Sequence, residues 1–522
     1  MRHGDTDIFP FPFENHAIFD KKDEFIDLIV EHNDNFEEYI HRFSPNYVNS
    51  LTPVTYSGFR WATQIDPIWN AHFLACVIAL AQKMEKTRLP VEDKCVFSYR
   101  LRWDKRSGDL FDREFSWYQF MVESLRISGD SGFVVVCDIS EFYPRLSHHR
   151  LENALKQIGG DTVYPGKIMS FLSNFSNTNS FGLPIGGPAS RILSELTINQ
   201  IDKLLVMENI RFTRFADDYH LFAISREDAY KKLLFLSEKL FVNQGLALQK
   251  SKTRIMTSAE FRATNPIKEP NPIAEGGDDL STPGEFMQFS LRFDPYSPTS
   301  EDDYKDLKDE IRKFDVLGLL KAELNKSQIH VALSRKIISA IKFLSETNKN
   351  SAVLSILNNS DILYPIFSSA LMMIEKIFIE LTKETQDEVI KNLCEMIKNE
   401  SHVFRVDVHL CFAIRVIAQK NTPDGVNLLA AIYDSRTSPI VRRDIILTMA
   451  RWGEWYWLSD LRNKFRSLSG PERRAFIVSS YKLRDEGSHW RDHMKVEFSP
   501  FERFIHQWAG KRASSLDWEV PL

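Results

Sequence analysis

Apolar positions along this chain follow two different periods. Phe133-Val-Val-Val-Cys137 is an unbroken apolar run, mostly β-branched, that ends on Asp138. Its length and composition predict a buried strand. Phe212-Thr-Arg-Phe215 alternates every second residue, 219–224 reads as a second strand, and Ala216, Asp217 and Asp218 stand between them. That pattern predicts a tight β-hairpin with the acidic pair at its tip. A further short strand is expected at 96–100. Elsewhere the period is helical. Residues 24–43, 68–84, 111–125, 189–207 and 229–245 are expected to form helices, the last ending on Gly245.

Between 264 and 300 the pattern lapses. Asn-Pro, Gly-Gly and Pro-Gly steps mark a long loop and a domain boundary, with strand character only around 286–293. From 302 to about 510 helix follows helix, at 304–324, 331–344, 365–381, 387–397, 403–418, 426–433, 440–451, 464–468, 471–481 and 501–508. Ser438-Pro-Ile-Val-Arg-Arg-Asp444 and Ser469-Gly-Pro-Glu-Arg-Arg474 each open a helix with proline near its first turn, about 32 residues apart. The arrangement resembles a degenerate HEAT-type solenoid; an irregular helical bundle is the other reading. Arg442, Arg443, Arg473 and Arg474 suit a nucleic-acid path, but a solvated face is the simpler reading of them. No nuclease or protease signature stands in this part of the chain.

Asp217 and Asp218 pose an electrostatic problem. Adjacent carboxylates repel, the more so between apolar flanks, and the arrangement becomes favourable when divalent cations lie between them. A polar turn would account for the pair alone, and helix capping for Asp138 alone. Together the three supply the carboxylates of a two-metal phosphoryl-transfer site, in which cations about 3.5–4 Å apart hold the attacking and leaving oxygens in line.

Four segments then carry a resemblance. Asp138-x-x-x-Phe142-Tyr143-Pro144 resembles motif A of reverse transcriptases, and Phe215-Ala-Asp-Asp218 resembles motif C. Between them, Phe181-Gly-Leu-Pro-Ile-Gly-Gly-Pro-Ala-Ser190 resembles motif B, and after them Gly245-Leu-Ala-Leu-Gln-Lys-Ser-Lys-Thr-Arg-Ile255 resembles motif D. Order and spacing match over roughly 95–256. With its helical tail, the chain is similar to the bacterial abortive-infection (Abi) reverse-transcriptase-like polymerases of antiphage defence. The resemblance implies an α+β fold: a helical N-terminal or fingers extension at 1–90, reverse-transcriptase-like fingers and palm at 91–263, a linker at 264–300, and an all-α HEAT-like repeat domain at 301–522.

It also implies roles. Asp138, Asp217 and Asp218 would hold two Mg²⁺ ions, with Mn²⁺ as a substitute and the Ile139 carbonyl as a further ligand. Lys252 would protonate or neutralise the leaving pyrophosphate, with Lys250 as the alternative. Arg100 is a candidate for gripping the triphosphate, since a guanidinium binds two phosphate oxygens at once. Tyr143 would pack under the sugar and reject a 2′-hydroxyl. Pro184, Gly186 and Gly187 would form a nucleotide-binding loop in which glycine permits close backbone approach. Pro188 would start a helix whose free amides face phosphate. Many templated relatives carry Gln after the proline; Ile185 stands here instead, which puts ordinary templated synthesis in doubt. The implied reaction uses dNTPs without a template, is primed from a protein tyrosine, and leaves single-stranded DNA covalently attached. Tyr47, which follows Ser44-Pro-Asn46 in an expected loop, ranks ahead of Tyr39 and Tyr56 as primer.

Composition narrows this picture in a few places. The 522 residues are 43% hydrophobic, enough for about three domains with sizeable cores. A net charge of −5 does not suit a grip on long duplex, where affinity comes largely from phosphate neutralisation, so contact with a short or single strand is expected. The 38 phenylalanines are read as core. Cys76, Cys95, Cys137, Cys394 and Cys411 are scattered, with no Cys-x-x-Cys pair. That implies neither a zinc site nor a disulfide framework, and fits a reducing cytoplasm. Neither a signal-peptide core nor an apolar run of membrane-spanning length appears, so no membrane association is expected. A homo-oligomer is expected by analogy with other helical solenoids. Two rivals stay open: an RNA-templated reverse transcriptase of another phage-defence class, and a scaffold or binding protein with a degenerate palm, against which the intact acidic triad argues.

Overall fold

The computed structural model describes residues 8–104, 108–160, 162–175, 179–265, 307–515 and 517–522, together with 283 and 286. Six strands occur among them: β1 (Tyr47–Pro53), β2 (Phe59–Ile65), β3 (Phe133–Asp138), β4 (Phe212–Phe215), β5 (Asp218–Ala223) and β6 (Arg254–Thr257). The chain divides into two compact units, one of His32–Tyr47 and Ile68–Ala274, the other of Met1–Glu31, Val48–Pro67 and Glu275–Leu522. The first ninety residues are therefore shared between the units rather than forming one block.

The unit holding Ile68–Ala274 is built on a four-stranded antiparallel sheet in the order β4-β5-β3-β6. The apolar run at 133–137 forms the inner strand β3, and Val134, Val135 and Cys137 are fully buried. A strand flanked on both edges and covered by helices needs this unbroken apolar character. Helix Trp117–Ser128 packs against β4 and β5. It starts six residues later than the pattern at 111–125 suggests, because Ser116 caps it by accepting from the Gln119 N–H and Phe111 instead bridges Leu101. Helix Arg226–Gln244 packs on β3, β5 and β6, capped by Ser225 and ended by Gly245 at φ 69°. The 96–100 segment contributes a parallel bridge between Val96 and Arg214 at the β4 edge.

The other unit is dominated by helices. Val331–Ala340, Phe367–Ile377, Asp407–Ile417, Pro439–Trp452, Gly470–Ser479 and Pro500–Ala513 pack each on the next, although another helical segment intervenes in sequence each time. Val316–Leu324, Glu346–Asn358, Lys383–Lys398 and Pro423–Ser435 form a second row packed in the same skipping manner. Glu14–Asp20 lies on Pro500–Ala513 at the end of the first row. There Asp20 accepts from the Trp508 indole at 2.7 Å and from Arg512 at 2.6 Å.

Local periodicity misjudged three features. The stretch 24–43 is broken into Lys22–Asp34 and Phe36–Arg42 at Asn35. The β1–β2 hairpin lies inside a region whose pattern is otherwise helical. The arginines at 442, 443, 473 and 474 are not a solvated face: Arg443 and Arg474 are buried. Arg474 pairs with Glu14 and Asp66, Arg443 with Asp444, Arg473 with Glu502 and Arg442 with Glu472. Glu14 and Asp66 are remote in sequence, so no local pattern announces those pairs. Apart from Phe286, the strand expected at 286–293 lies outside the described residues, as does most of the 264–300 linker. All five cysteines are free thiols. Among the described residues no helix is long and apolar enough to cross a membrane.

Candidate active site

β3 and β5 run side by side, and the last pair in their register is Asp138 with Asp218. Facing residues of an antiparallel pair lie about 4.5–5.5 Å apart at Cα, so acids distant in sequence share one end of the sheet. Ala216 and Asp217 form the two-residue turn between β4 and β5. Asp217 alone sits in the turn, while Asp218 opens β5. The Asp217 carbonyl accepts from the Ile139 N–H at 3.0 Å, which ties the turn to the end of β3. Ile139, expected to lend its carbonyl to a cation, is buried beside them.

The turn is strained. Ala216 adopts φ 54°, a region where glycine is the usual occupant of a tight hairpin. Tyr99 and Glu141, at φ 47° and 49°, are likewise left-handed. What holds Ala216 is a buried ionic network that the sequence pattern did not reveal. Arg214, fully buried in β4, donates to the Ala216 carbonyl at 2.9 Å, to Asp202 at 2.6 and 2.8 Å, and to Glu195 at 2.8 and 3.2 Å. Glu195 also accepts from Arg88 and Ser98, each at 2.6 Å, and Asp202 from the Tyr219 hydroxyl at 3.1 Å. Burial opposes ionisation of Glu195, but Arg214 and Arg88 outweigh it and hold its pKa below the usual carboxylate range. Glu195 and Asp202 both lie on helix Pro188–Met207, so one guanidinium locks that helix to the acidic turn. The visible signal was a charged residue on the same strand face as Phe212.

Asp217 and Asp218 resist ionisation. Burial, reinforced by Asp138, raises the Asp217 pKa to about 6. Burial, reinforced by Asp217 and then Asp138, raises that of Asp218 to about 7. Lys252 supplies the compensating charge, its Nζ 2.7 Å from Asp138 Oδ2. Burial works against this ammonium, but the Asp138 hydrogen bond and charge outweigh it, so its pKa is raised. The segment carrying Lys252 is pinned to the same strand end: Gln249 N–H donates to Asp138 O at 2.8 Å and Ser140 N–H to Ala247 O at 2.9 Å. Lys250 is exposed.

These shifts have a measurable sign. A carboxylate whose folded pKa lies above its unfolded value stabilises the fold while protonated, and that contribution is lost as pH rises through the folded value. In chelator, the thermal midpoint is expected to fall as pH rises from about 4, the unfolded carboxylate value, to about 7, the upper folded value, a loss on the order of a few kcal/mol. Adding Mg²⁺ is expected to restore stability more at pH 8 than at pH 5. Asp218→Asn is expected to flatten the pH dependence. A flat wild-type profile in chelator would refute the coupling.

Three acids with hard oxygen donors fit a divalent-cation site in donor chemistry. They do not form a closed cage: among the described residues no group of three or more His, Cys, Asp or Glu stands in ligating arrangement. The Lys252 ammonium on Asp138 occupies the place of positive charge.

The glycine-rich loop is anchored beside this cluster. Gly182 N–H donates to Leu146 O at 2.8 Å, Leu183 N–H to Tyr143 O at 2.9 Å, and His148 Nε2 contacts Gly182 O at 2.7 Å. Gly182 and Gly186 adopt φ 103° and 128°, and a Cβ on Gly182 would stand 3.3 Å from Pro144 O. Pro184 is buried. Gly187 is the N-cap of helix Pro188–Met207 without a side-chain cap, so its first amides are not satisfied that way. The Tyr143 hydroxyl is buried beside Tyr99 and Ser194, and burial, reinforced by Tyr99, pushes its pKa well up.

Other expected residues stand elsewhere. Arg100 does not face a nucleotide. It is buried, and its guanidinium is spent on Glu85 at 2.9 Å and on the carbonyls of Val96 and Leu89 at 3.1 and 2.6 Å. A cation with no solvent contact needs such partners, and local sequence gave no sign of them. Of the tyrosines proposed as primers, Tyr39 is buried edge-on against His32. Tyr56 donates to Ile362 O at 2.6 Å and accepts from Ile329 N–H at 3.2 Å, so its hydroxyl is committed to packing. Tyr47 is half-buried against Phe175.

Comparison with known proteins agrees with this geometry. Residues 80–318 match the family model described as Reverse transcriptase (RNA-dependent DNA polymerase), so a reverse-transcriptase domain is present. No curated protein matches the chain. Among solved structures, telomerase from Candida albicans in complex with the TWJ fragment of telomeric RNA is 12% identical, covering 80% of this chain and 68% of that one, with TM-score 0.32. Apo telomerase from Candida tropicalis is also 12% identical, covering 80% and 71%, with TM-score 0.30. Likenesses at that score carry no argument.

Proposed function

We propose that the reverse-transcriptase domain makes DNA from dNTPs without a template, primed from a tyrosine of the chain itself, in abortive antiphage defence. The observation that carries the polymerase part is the register pair Asp138–Asp218 with Asp217 in the adjoining turn. Asp138, Asp217 and Asp218 would hold divalent cations, Mg²⁺ or Mn²⁺. When bound, such cations align attacking and leaving oxygens and neutralise charge developing on the phosphates. A hydroxyl, first of tyrosine and then of the growing strand, attacks the α-phosphate of a dNTP, and pyrophosphate leaves. Lys252 keeps its proton in the resting site and is placed to give it to, or neutralise, the leaving group. The Gly187 helix start supports phosphate binding.

Ile185 in the glycine-rich loop supports untemplated synthesis, and Tyr47 is the remaining half-buried primer among the three tyrosines. The two interleaved helix rows support a HEAT-like repeat region, through which we propose self-assembly. Incubating the protein with single dNTPs and Mg²⁺, without nucleic acid, tests the reading. Covalent nucleotide adducts in the intact mass are expected, and their absence would refute protein priming. A second reading, RNA-templated synthesis, is favoured by the description of the matched family. Extension that requires an added RNA template would establish it instead.

Tyr143 gives an independent check. It follows Asp138 by five residues and its carbonyl accepts from the Leu183 N–H at 2.9 Å, which ties it to the glycine-rich loop and supports a role in excluding a sugar 2′-hydroxyl. Tyr143→Val is expected to relax discrimination against rNTPs by about tenfold or more, measured as the ratio of kcat/KM for dNTP and rNTP. An unchanged ratio would remove Tyr143 from the sugar-selecting role.

A further inference from the structure

β1 and β2 form a two-stranded hairpin whose polarity is inverted. Beside the turn, Val54 N–H donates to Gly58 O at 2.8 Å, and further along Thr63 Oγ1 donates to Asn49 Oδ1 at 2.8 Å. In that register Asn49 faces Thr63, Leu51 faces Trp61 and Pro53 faces Phe59, and residues two apart on a strand share a face. The opposite face, with Ser50, Thr52, Ala62 and Gln64, is buried. An antiparallel sheet with one wet face ordinarily turns its apolar side chains inward. Here the buried face is mostly polar, while Leu51, Phe59 and Trp61 stand 45%, 51% and 56% exposed. The hairpin is well anchored. Tyr56 in its turn donates to Ile362 O at 2.6 Å, and the Phe59 ring lies edge-on to Tyr364 at 6.4 Å. Three large apolar side chains fixed on one exposed face mark an interaction surface.

Its chemistry narrows the occupant. Phe59 and Trp61 present aromatic rings two residues apart on one strand, and such rings stack nucleic-acid bases with little regard to sequence. Residues 43–65 contain no carboxylate, although Asp and Glu make up 71 of the 522 residues. Their one charged side chain, Arg60, lies between the two rings in sequence and is exposed. A polyanion therefore meets a cation here and no like charge from this stretch. A second copy of the chain would also cover the rings, but would gain nothing from the missing acids. We propose that this face is a stacking platform for single-stranded DNA, with Trp61 and Phe59 against successive bases and Arg60 as the cation for phosphate. Tyr47 opens β1 at the same parity as Leu51, so a strand primed there would start on this side of the hairpin. That last link rests on the polymerase reading; the platform does not.

Fluorescence anisotropy of labelled oligo(dT) with the full chain in EDTA tests it. Chelation removes cation-dependent binding at the acidic cluster. Oligo(dT) is expected to bind more tightly than a duplex of equal length, whose bases are already stacked. Trp61→Ala and Phe59→Ala are each expected to weaken that binding about tenfold or more, and Trp61→Phe, which keeps a ring, much less. These side chains are half in solvent, so the thermal midpoint is expected to stay at the wild-type value. Asp217→Asn is expected to bind oligo(dT) normally. Binding of this kind by a chain that incorporates no dNTP would sink the polymerase reading and leave the platform standing. The proposal is overturned if oligo(dT) does not bind, if duplex binds as tightly, if the alanine variants bind as wild type, or if Asp217→Asn abolishes binding. Normal binding by Trp61→Ala together with a shift from oligomer to monomer on size exclusion would assign the face to a second copy instead.

Discussion

Asp217→Asn is expected to lower nucleotide incorporation on the order of 10³-fold or more and, in chelator near neutral pH, to raise the thermal midpoint. The two effects share one cause. Burial, reinforced by the neighbouring Asp138, holds the Asp217 pKa near 6. An asparagine keeps the shape and removes one charge from a site that repels charge. The variant therefore gives up cation binding and gains stability. A purely structural acid would behave otherwise: its neutralisation would leave incorporation unchanged. The measurements are dNTP incorporation with Mg²⁺ and a thermal melt in EDTA near pH 8. Loss of activity with an unchanged or lowered midpoint would separate catalysis from repulsion and sink the electrostatic account. In a phage-challenge assay, Asp217→Ala is expected to abolish protection; full protection would favour the scaffold reading.

Arg214→Ala is expected to destabilise the fold by about 3–5 kcal/mol. The guanidinium is fully buried and bridges Glu195 and Asp202. Removing it leaves two carboxylates in a dry environment with Arg88 as the nearest counter-charge to Glu195. Chemical denaturation reads the loss, and adding Glu195→Gln and Asp202→Asn to the same chain is expected to recover much of it, because neutral amides need no counter-ion. Recovery of stability should not bring recovery of polymerisation. Arg214 also holds the Ala216 carbonyl, and without that bond the strained turn is free to shift the acids. A triple variant with restored stability and full activity would show that the arginine serves only the fold. Arg214→Lys is a milder version, since one ammonium cannot reproduce the guanidinium's planar fork on two carboxylates and a carbonyl.

Much of the sheet was legible before any coordinates. The run at 133–137 is too short for a helix and too apolar for a surface strand. The period-two run before Asp217 and the strand after it announced the hairpin. Helices ended by Gly245 or started by Pro188 carry their punctuation in the sequence. Less legible were the hairpin at Tyr47–Pro53 and Phe59–Ile65, whose partly exposed strands lack a clean alternation, and the start of Trp117–Ser128, set by a single capping serine. Arg100 was misplaced for a different reason. Its residue type suits phosphate, but type does not say which partner arrives first, and Glu85 with two carbonyls had already taken the guanidinium.

By itself, the sequence determined which residues alternate, which run on without a break, and that three acids fall at a strand end or in the turn beside one. Those properties are local, because a strand or helix period is fixed by neighbours a few residues away. Tertiary structure alone decided that Asp138 faces Asp218, that Lys252 lies on Asp138, and that Glu14 closes on Arg474. Each joins residues far apart in the chain. Such pairings depend on strand register and on burial, which penalises every charge left without a counter-charge, and neither quantity is written in any short stretch of sequence.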